Sequence, residues 1–204
     1  MTRVAIVDYG MGNLRSVEKA LEHVGASPDR TADHDSIRDA ALIVLPGVGA
    51  FRKAMESIRG LGLDELLHER VDAGVPVLGL CLGMQLLFDS STEIGGADGL
   101  GLLPGEVRPL DAPGLKVPQM GWNPVVWKGH SRLNDGLANP SPMYHVHSFA
   151  AHPDVDGDVI GTAEYGEEFA TAVERDNVAG VQFHPEKSGP AGLALLGNFM
   201  KVLA

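Results

Sequence analysis

The sequence predicts an α/β protein. Its expected architecture is a mostly parallel central sheet covered by helices on both faces, then a strand-rich second half closed by a helix. Three observations predict it. Short continuous apolar runs at 4–7, 42–45 and 75–80 suit strands buried on both faces. Stretches with apolar residues at helical spacing separate those runs. Beyond residues 91–105 the texture becomes strand-like, with frequent Pro and Gly between apolar segments.

Taken in order, Val4 to Val7 is a strand that ends at Asp8, and Tyr9-Gly10-Met11-Gly12-Asn13 is a turn. Leu14, Val17, Leu21 and Val24 then recur at helical spacing, and Gly25 supplies the stop. Leu42 to Leu45 is the second strand, closed by Pro46-Gly47-Val48-Gly49. Leu63 to Val71 reads as a helix ending near Gly74. Val75 to Leu80 is the third strand, and Leu82 to Phe88 a helix. Gly95-Gly96-Ala97-Asp98-Gly99 and Pro104-Gly105 mark residues 91–105 as a loop. Strand character follows at Val107, 125–127, 144–149, 159–165, 169–173 and 178–183. Ala191 to Leu203 is the closing helix. No internal repeat or low-complexity tract interrupts the chain.

With 204 residues and no composition break, 1–204 is expected to form a single domain with a substantial core. The formal net charge of −11 argues against nucleic acid or an anionic membrane as partner. The single cysteine cannot form an intrachain disulfide. The N-terminal run Met1 to Asp8 is too short and too soon charged for a signal peptide. The longest apolar stretch, Val75 to Phe88, is broken by Gln85 and is shorter than a membrane span. A soluble, cytoplasmic protein is expected.

Cys81 is the most informative residue. Gly79-Leu80-Cys81-Leu82-Gly83 follows a predicted strand and precedes a predicted helix, the context of a nucleophile at a sharp strand-to-helix turn. A helix N-terminus behind a cysteine favours thiolate over thiol. His184 and Glu186, two apart after an apolar run, would share a face on an extended segment. His184 would serve the cysteine and Glu186 would fix the ring's tautomer. Gly47 and Val48 end the neighbouring strand, where a backbone N–H can meet an oxyanion together with that of Leu82. One such donor is worth about 2.7–4 kcal/mol in a transition state. Each of these residues has a plain structural reading when taken alone: a buried small residue, a surface His–Glu pair, a turn. Gly10-Met11-Gly12-Asn13-Leu14-Arg15 lacks the third glycine of a dinucleotide fingerprint, so no such cofactor is expected. His145 and His147 share a strand face without a diagnostic ligand pattern beside them. They read as packing or hydrogen-bonding residues, and no metal is expected.

Three segments, Pro46-Gly47-Val48-Gly49, Gly79-Leu80-Cys81-Leu82-Gly83-Met84-Gln85 and Gln182-Phe183-His184-Pro185-Glu186, resemble the class I (triad) glutamine amidotransferases. Asp8-Tyr9-Gly10-Met11-Gly12-Asn13-Leu14, Val117-Pro118-Gln119-Met120-Gly121-Trp122-Asn123 and His184-Pro185-Glu186-Lys187-Ser188-Gly189 resemble more narrowly the glutaminase subunits of imidazole glycerol phosphate synthase. The likeness runs from the first strand to the last helix. Two departures stand out: Gln119 where that family often has His, and Phe149 where it often has Tyr.

The resemblance implies a three-layer, flavodoxin-like fold and a cofactor-free hydrolysis of L-glutamine to glutamate and ammonia through a Cys81–His184–Glu186 triad and a glutamyl thioester. It implies an oxyanion hole from Val48 and Leu82 beside Gly47, and glutamine contacts from Gln85 and the backbone near Ser148 and Phe149. It further implies a heterodimer with a (β/α)8-barrel synthase subunit that consumes the ammonia in histidine biosynthesis, with Trp122, Tyr144 and Lys187 at the interface. Other readings stay open here. One is the glutaminase subunit for pyridoxal phosphate, anthranilate or aminodeoxychorismate synthesis. Others are a non-catalytic module of the same fold and a stand-alone cysteine hydrolase.

Overall fold

A computed structural model describes residues 2–201. The first half runs β1 (Arg3–Val7), α1 (Leu14–His23), β2 (Ser27–Thr31), α2 (His34–Arg38), β3 (Leu42–Gly47), α3 (Phe51–Gly60), α4 (Leu63–Asp72), β4 (Val77–Cys81) and α5 (Leu82–Leu86). The second half runs β5 (Phe88–Ser91), β6 (Ala97–Asp98), β7 (Leu103–Pro109), β8 (Gln119–Trp127), β9 (Ser141–His147), β10 (Phe149–Pro153), β11 (Val159–Tyr165), β12 (Glu167–Arg175), β13 (Val178–Val181) and α6 (Gly189–Phe199).

Strands β2-β1-β3-β4-β13 lie side by side, and every pairing among them is parallel. Beyond β13 the sheet continues antiparallel into β12, β10 and β7, while β11, β8 and β9 branch from β12. Period-two alternation divides the core. Val4 and Ile6 of β1, with Leu42 and Val44 of β3, pack with Val17 and Leu21 of α1 and Leu195, Leu196 and Phe199 of α6. Ala5, Val7, Ile43 and Leu45 face the other way, toward Ile37, Phe51, Met55, Ile58, Leu66 and Leu67 of α2, α3 and α4. Helix, sheet and helix form the three expected layers.

The structure differs from the sequence reading in several elements. β2 was not expected, because Ser-Pro-Asp-Arg-Thr has no apolar run. It is an edge strand, where a proline and polar side chains are tolerated. α2 and α3 were also unread, although Phe51, Ala54, Met55 and Ile58 have helical spacing and are buried. α5 stops at Leu86, not Phe88, because the returning chain takes its carbonyls: Leu100 N–H donates to Leu86 O at 2.8 Å and Leu102 N–H to Leu87 O at 2.8 Å. The same return turns part of 91–105 into β6 and the start of β7. The run 144–149 is two strands broken at Ser148. The Leu203 end of the expected closing helix lies outside the described residues.

Candidate active site

β3, β4 and β13 are adjacent and parallel, so their C-terminal ends converge. Gly47 stands opposite Cys81, and Gly180 and Val181 stand opposite Gly79 and Leu80. Ligand sites of parallel sheets form at such strand ends. The three motifs, far apart in sequence, meet there by register.

Cys81 closes β4 and opens α5 with φ 53° and ψ −110°. A non-glycine residue there holds backbone strain, of order 1–3 kcal/mol. The turn also demands glycine on both sides. A Cβ on Gly79 would sit 2.7 Å from the backbone of Gly83, and one on Gly83 would drive into the carbonyl of Leu45. Cys81 is only 7% exposed, yet its sulfur borders a cavity.

His184 follows β13, its N–H donating to Tyr144 O at 2.9 Å. Glu186 does not share an extended face with it, as the sequence reading expected. Pro185–Lys187 is a 3-10 turn, and the turn brings a Glu186 oxygen to 2.9 Å from His184 Nδ1. Both side chains are almost fully buried. The second Glu186 oxygen has no partner among the described residues. Burial alone would pull the His184 pKa down. Hydrogen bonds to Cys81 and Glu186, and the negative charges both can carry, outweigh burial and raise it to about 9. An imidazole that lines one cavity with a cysteine and is held by a buried carboxylate is the geometry a nucleophile served by an oriented acid–base group requires.

The other expected residues fall around this centre. A cavity of about 300 Å³ is lined by Val48, Cys81, Leu82, Gln85, Ser148, Phe149, His184 and Lys187, among others. Gly47 is buried beneath it, and a Cβ there would meet the Tyr9 hydroxyl and lie 3.0 Å from Leu82 Cβ. Trp122 and Tyr144 lie outside the cavity: their rings meet edge-on at 6.1 Å, and Lys187 Nζ stands 5.9 Å from the Tyr144 ring centre. A larger cleft, of about 570 Å³, opens elsewhere over Arg52, Arg59, Ser90 and Asp98. It has hydroxyls and carboxylates but neither cysteine nor histidine in its lining.

Sequence reasoning missed two participants, Tyr9 and Gln182, and read a third, His147, as a packing or hydrogen-bonding residue. The Tyr9 hydroxyl donates to Pro46 O at 2.7 Å, just below the Gly47–Val48 peptide. Burial first, then the Cys81 charge, raise its pKa well above the ordinary phenol range, so it stays a donor. Gln182 is fully buried beside Cys81. His147 bonds Phe149 O at 2.8 Å through Nδ1 and the Gln119 carboxamide at 2.7 Å through Nε2. Only pairing between distant strands places these groups, so spacing gave no signal. Among the described residues, no group of three His, Cys, Asp or Glu is arranged to hold a metal ion.

A cysteine on a strained elbow, with a buried His–carboxylate pair over a parallel sheet, defines a triad-type enzyme of cysteine-nucleophile chemistry. Comparison with known proteins narrows the class. The family model "Glutamine amidotransferase class-I" matches residues 5–203. A protein of Moorella thermoacetica named imidazole glycerol phosphate synthase subunit HisH is 49% identical over 199 residues, covering 98% of this chain and 94% of the relative. Its namesake in Salinibacter ruber is 50% identical over 200 residues, covering 95% and 92%. Among solved structures, one titled structure of PurLQS from Thermotoga maritima superposes with a TM-score of 0.75 at 20% identity, covering 100% of this chain and 99% of that one. Another, titled crystal structure of glutamine amidotransferase, gives 0.74 at 20% identity, covering 95% and 98%. These two speak to the fold alone. The chain belongs to the class-I glutamine amidotransferase family and, within it, to the imidazole glycerol phosphate synthase subunit HisH family.

Proposed function

We propose that the chain is the glutaminase subunit of an imidazole glycerol phosphate synthase, working as one domain. It hydrolyses L-glutamine and passes ammonia to a (β/α)8-barrel synthase subunit of histidine biosynthesis. The observation that carries this is Cys81 at a positive-φ elbow, lining one cavity with a His184 that Glu186 holds from behind.

Cys81 thiolate attacks the side-chain amide carbon of glutamine, and the carbonyl oxygen becomes an oxyanion. The Leu82 N–H, next after the nucleophile, and the Val48 N–H are its donors. His184 gives its proton to the departing nitrogen as the C–N bond breaks, leaving a glutamyl thioester and ammonia. The neutral His184 then takes a proton from water as that water attacks the thioester. Glutamate leaves, and thiolate and imidazolium are restored. Gln85 and the Ser148–Phe149 segment hold the substrate. The Phe149 carbonyl already accepts from Gln85 at 3.0 Å, and the Ser148 carbonyl accepts from Leu110 at 2.9 Å. Substrate contacts there fall to N–H groups and the Ser148 hydroxyl.

A partner surface lies next to the cavity. Met120, Trp122, Pro124 and Val126 of β8 face outward, the first three paired with Val146, Tyr144 and Pro142 of β9 and Val126 with Thr162 of β11. Met120 and Trp122 are 66% and 58% exposed. An exposed apolar strip of this kind marks a protein interface. Trp122, Tyr144 and Lys187 join it to the cavity mouth, where ammonia would leave. Among the described residues no helix is long and apolar enough to cross a membrane. A cytoplasmic location fits the proposed pathway.

The deciding experiment measures glutamate release by the full chain with and without a barrel subunit and its nucleotide ligand. Strong release only with both present is expected, and Cys81→Ala should abolish it. Retained turnover in that variant would refute the assignment.

A further inference from the structure

The sulfur of Cys81 has two neighbours that the proposed mechanism leaves idle. The Val146 carbonyl lies 3.7 Å away, within reach of a thiol proton. Gln182 Nε2 lies 3.7 Å away on the neighbouring strand. Gln182 follows β13, whose register sets Val181 beside Leu80, and its own N–H is pinned to Thr171 O at 2.8 Å. Its side chain is completely enclosed and cannot reach solvent.

Which end of the Gln182 amide faces the sulfur follows from hydrogen-bond bookkeeping. The Phe149 carbonyl can only accept. Gln85 must therefore turn its NH2 group toward that oxygen, 3.0 Å away. The same NH2 group lies 2.9 Å from the Gln182 oxygen and donates its second hydrogen there. With its oxygen so engaged, Gln182 can present only its NH2 to Cys81. Turning either amide over would set two donors or two acceptors against each other inside a dry site. The backbone carbonyl of Phe149 thus dictates, through two side chains, that a donor points at the sulfur.

We infer that Gln182 is a positioning residue for the nucleophile: its side-chain N–H holds the Cys81 sulfur in its charged form and aims it at the cavity, with Gln85 fixing the orientation of the donor. The inference rests on reading Cys81 as the nucleophile. A thiolate next to Val146 O meets an acceptor that repels it, and the Gln182 N–H offsets that repulsion. Besides these, His184, with Glu186 behind it, and the Tyr9 phenol, whose hydroxyl is turned to Pro46 O, are the titratable groups whose charge acts on Cys81. His184 must turn toward the leaving nitrogen during turnover, so a second, fixed donor keeps the sulfur in place when the imidazole is otherwise engaged.

Alkylation of Cys81 by iodoacetamide tests this in the full chain without glutamine or partner, so its result is independent of whether glutamine is the substrate. Gln182→Met keeps an unbranched side chain of similar length and removes the donor. Its alkylation rate should fall about tenfold near neutral pH, since a hydrogen bond to a charged group is worth roughly that factor or more. It should rejoin the parent rate at high pH, where the thiolate forms regardless. Gln182→Glu still accepts from Gln85 but sets an acceptor against the sulfur, so its loss should be at least as large. An unchanged rate in either variant would overturn the inference. So would a loss equal at every pH, which would mean mere displacement of the sulfur. If neither variant folds, the Gln182 side-chain amide protons of the parent, followed by NMR, must shift as Cys81 titrates. A flat response would equally overturn it.

Discussion

Replacing Cys81 with Ala should lower the pKa of His184. The parent His184 titrates at about 9, against an ordinary 6.5. Burial lowers it most, and Cys81 and Glu186 raise it, the Cys81 hydrogen bond being the larger of the two. At about 1.4 kcal/mol per pKa unit, the net rise corresponds to about 3 kcal/mol shared by the coupled groups. Removing the sulfur deletes both its hydrogen bond and its charge and leaves burial opposed by Glu186 alone. The His184 midpoint should then fall by about two units. The sign for stability follows from linkage. A group whose folded pKa is raised contributes stability fully present below about pH 6.5, and that stability is lost as pH rises through about 9. The alkaline loss should therefore move to lower pH in Cys81→Ala. NMR of the His184 ring protons across pH 5–10 reads the midpoint directly, and urea unfolding at the same pH values reads the stability. A parent His184 titrating at or below 6.5, or a midpoint unmoved by the substitution, would refute the coupling on which the mechanism stands.

Gly83→Ala should cost several kcal/mol or prevent folding, because its Cβ would collide with the Leu45 carbonyl of β3, a strand that cannot yield. Gly10→Ala has open space around it and only a φ of +85° to bear, so it should cost about 1–2 kcal/mol. Urea denaturation compares the two, and equal costs would contradict the steric account of the elbow. Trp122→Ala, on an exposed strand face, should change stability by less than about 0.5 kcal/mol. It should nonetheless weaken association with the barrel subunit by about tenfold or more, as truncating an interface aromatic does. Calorimetric titration checks this, and an unaltered affinity would remove Trp122 from the interface.

What could be read from the sequence and what could not divide along one physical line. Local pattern exposed the buried strands β1, β3 and β4, because burial on both faces leaves continuous apolar runs. It exposed the elbow, because Gly79 and Gly83 are where a Cβ cannot fit. β2 escaped because an edge strand need not be apolar. The end of α5 escaped because N–H groups of the returning segment, not a local stop residue, decide it. Gln182 was visible as a residue but not as a neighbour of Cys81, since only the β4–β13 register sets the two side by side. The Glu186 contact was reached by the wrong route. An extended strand was expected to align it with His184, and a 3-10 turn does so instead.

The histidines nearest the triad show how charge is confined to one ring. His145 is fully buried, and burial first, then the neighbouring His147, lower its pKa to about 3. His147 is lowered to about 4, by burial first and also by the charge on His184, against a hydrogen bond to Phe149 O that raises it. Both are neutral at any ordinary pH. His147 Nδ1 stands 2.8 Å from Phe149 O and its Nε2 stands 2.7 Å from Gln119 Oε1. A neutral His145 donates from Nδ1 to the Met143 carbonyl, so the Thr171 hydroxyl donates to its Nε2. With their rings centred 5.7 Å apart, the two would repel strongly if both were charged. Keeping them neutral leaves His184, the ring bonded to the Glu186 carboxylate, as the one of the three whose pKa is raised. In the proposed mechanism, the proton needed by the departing nitrogen is therefore stored on the ring that would deliver it.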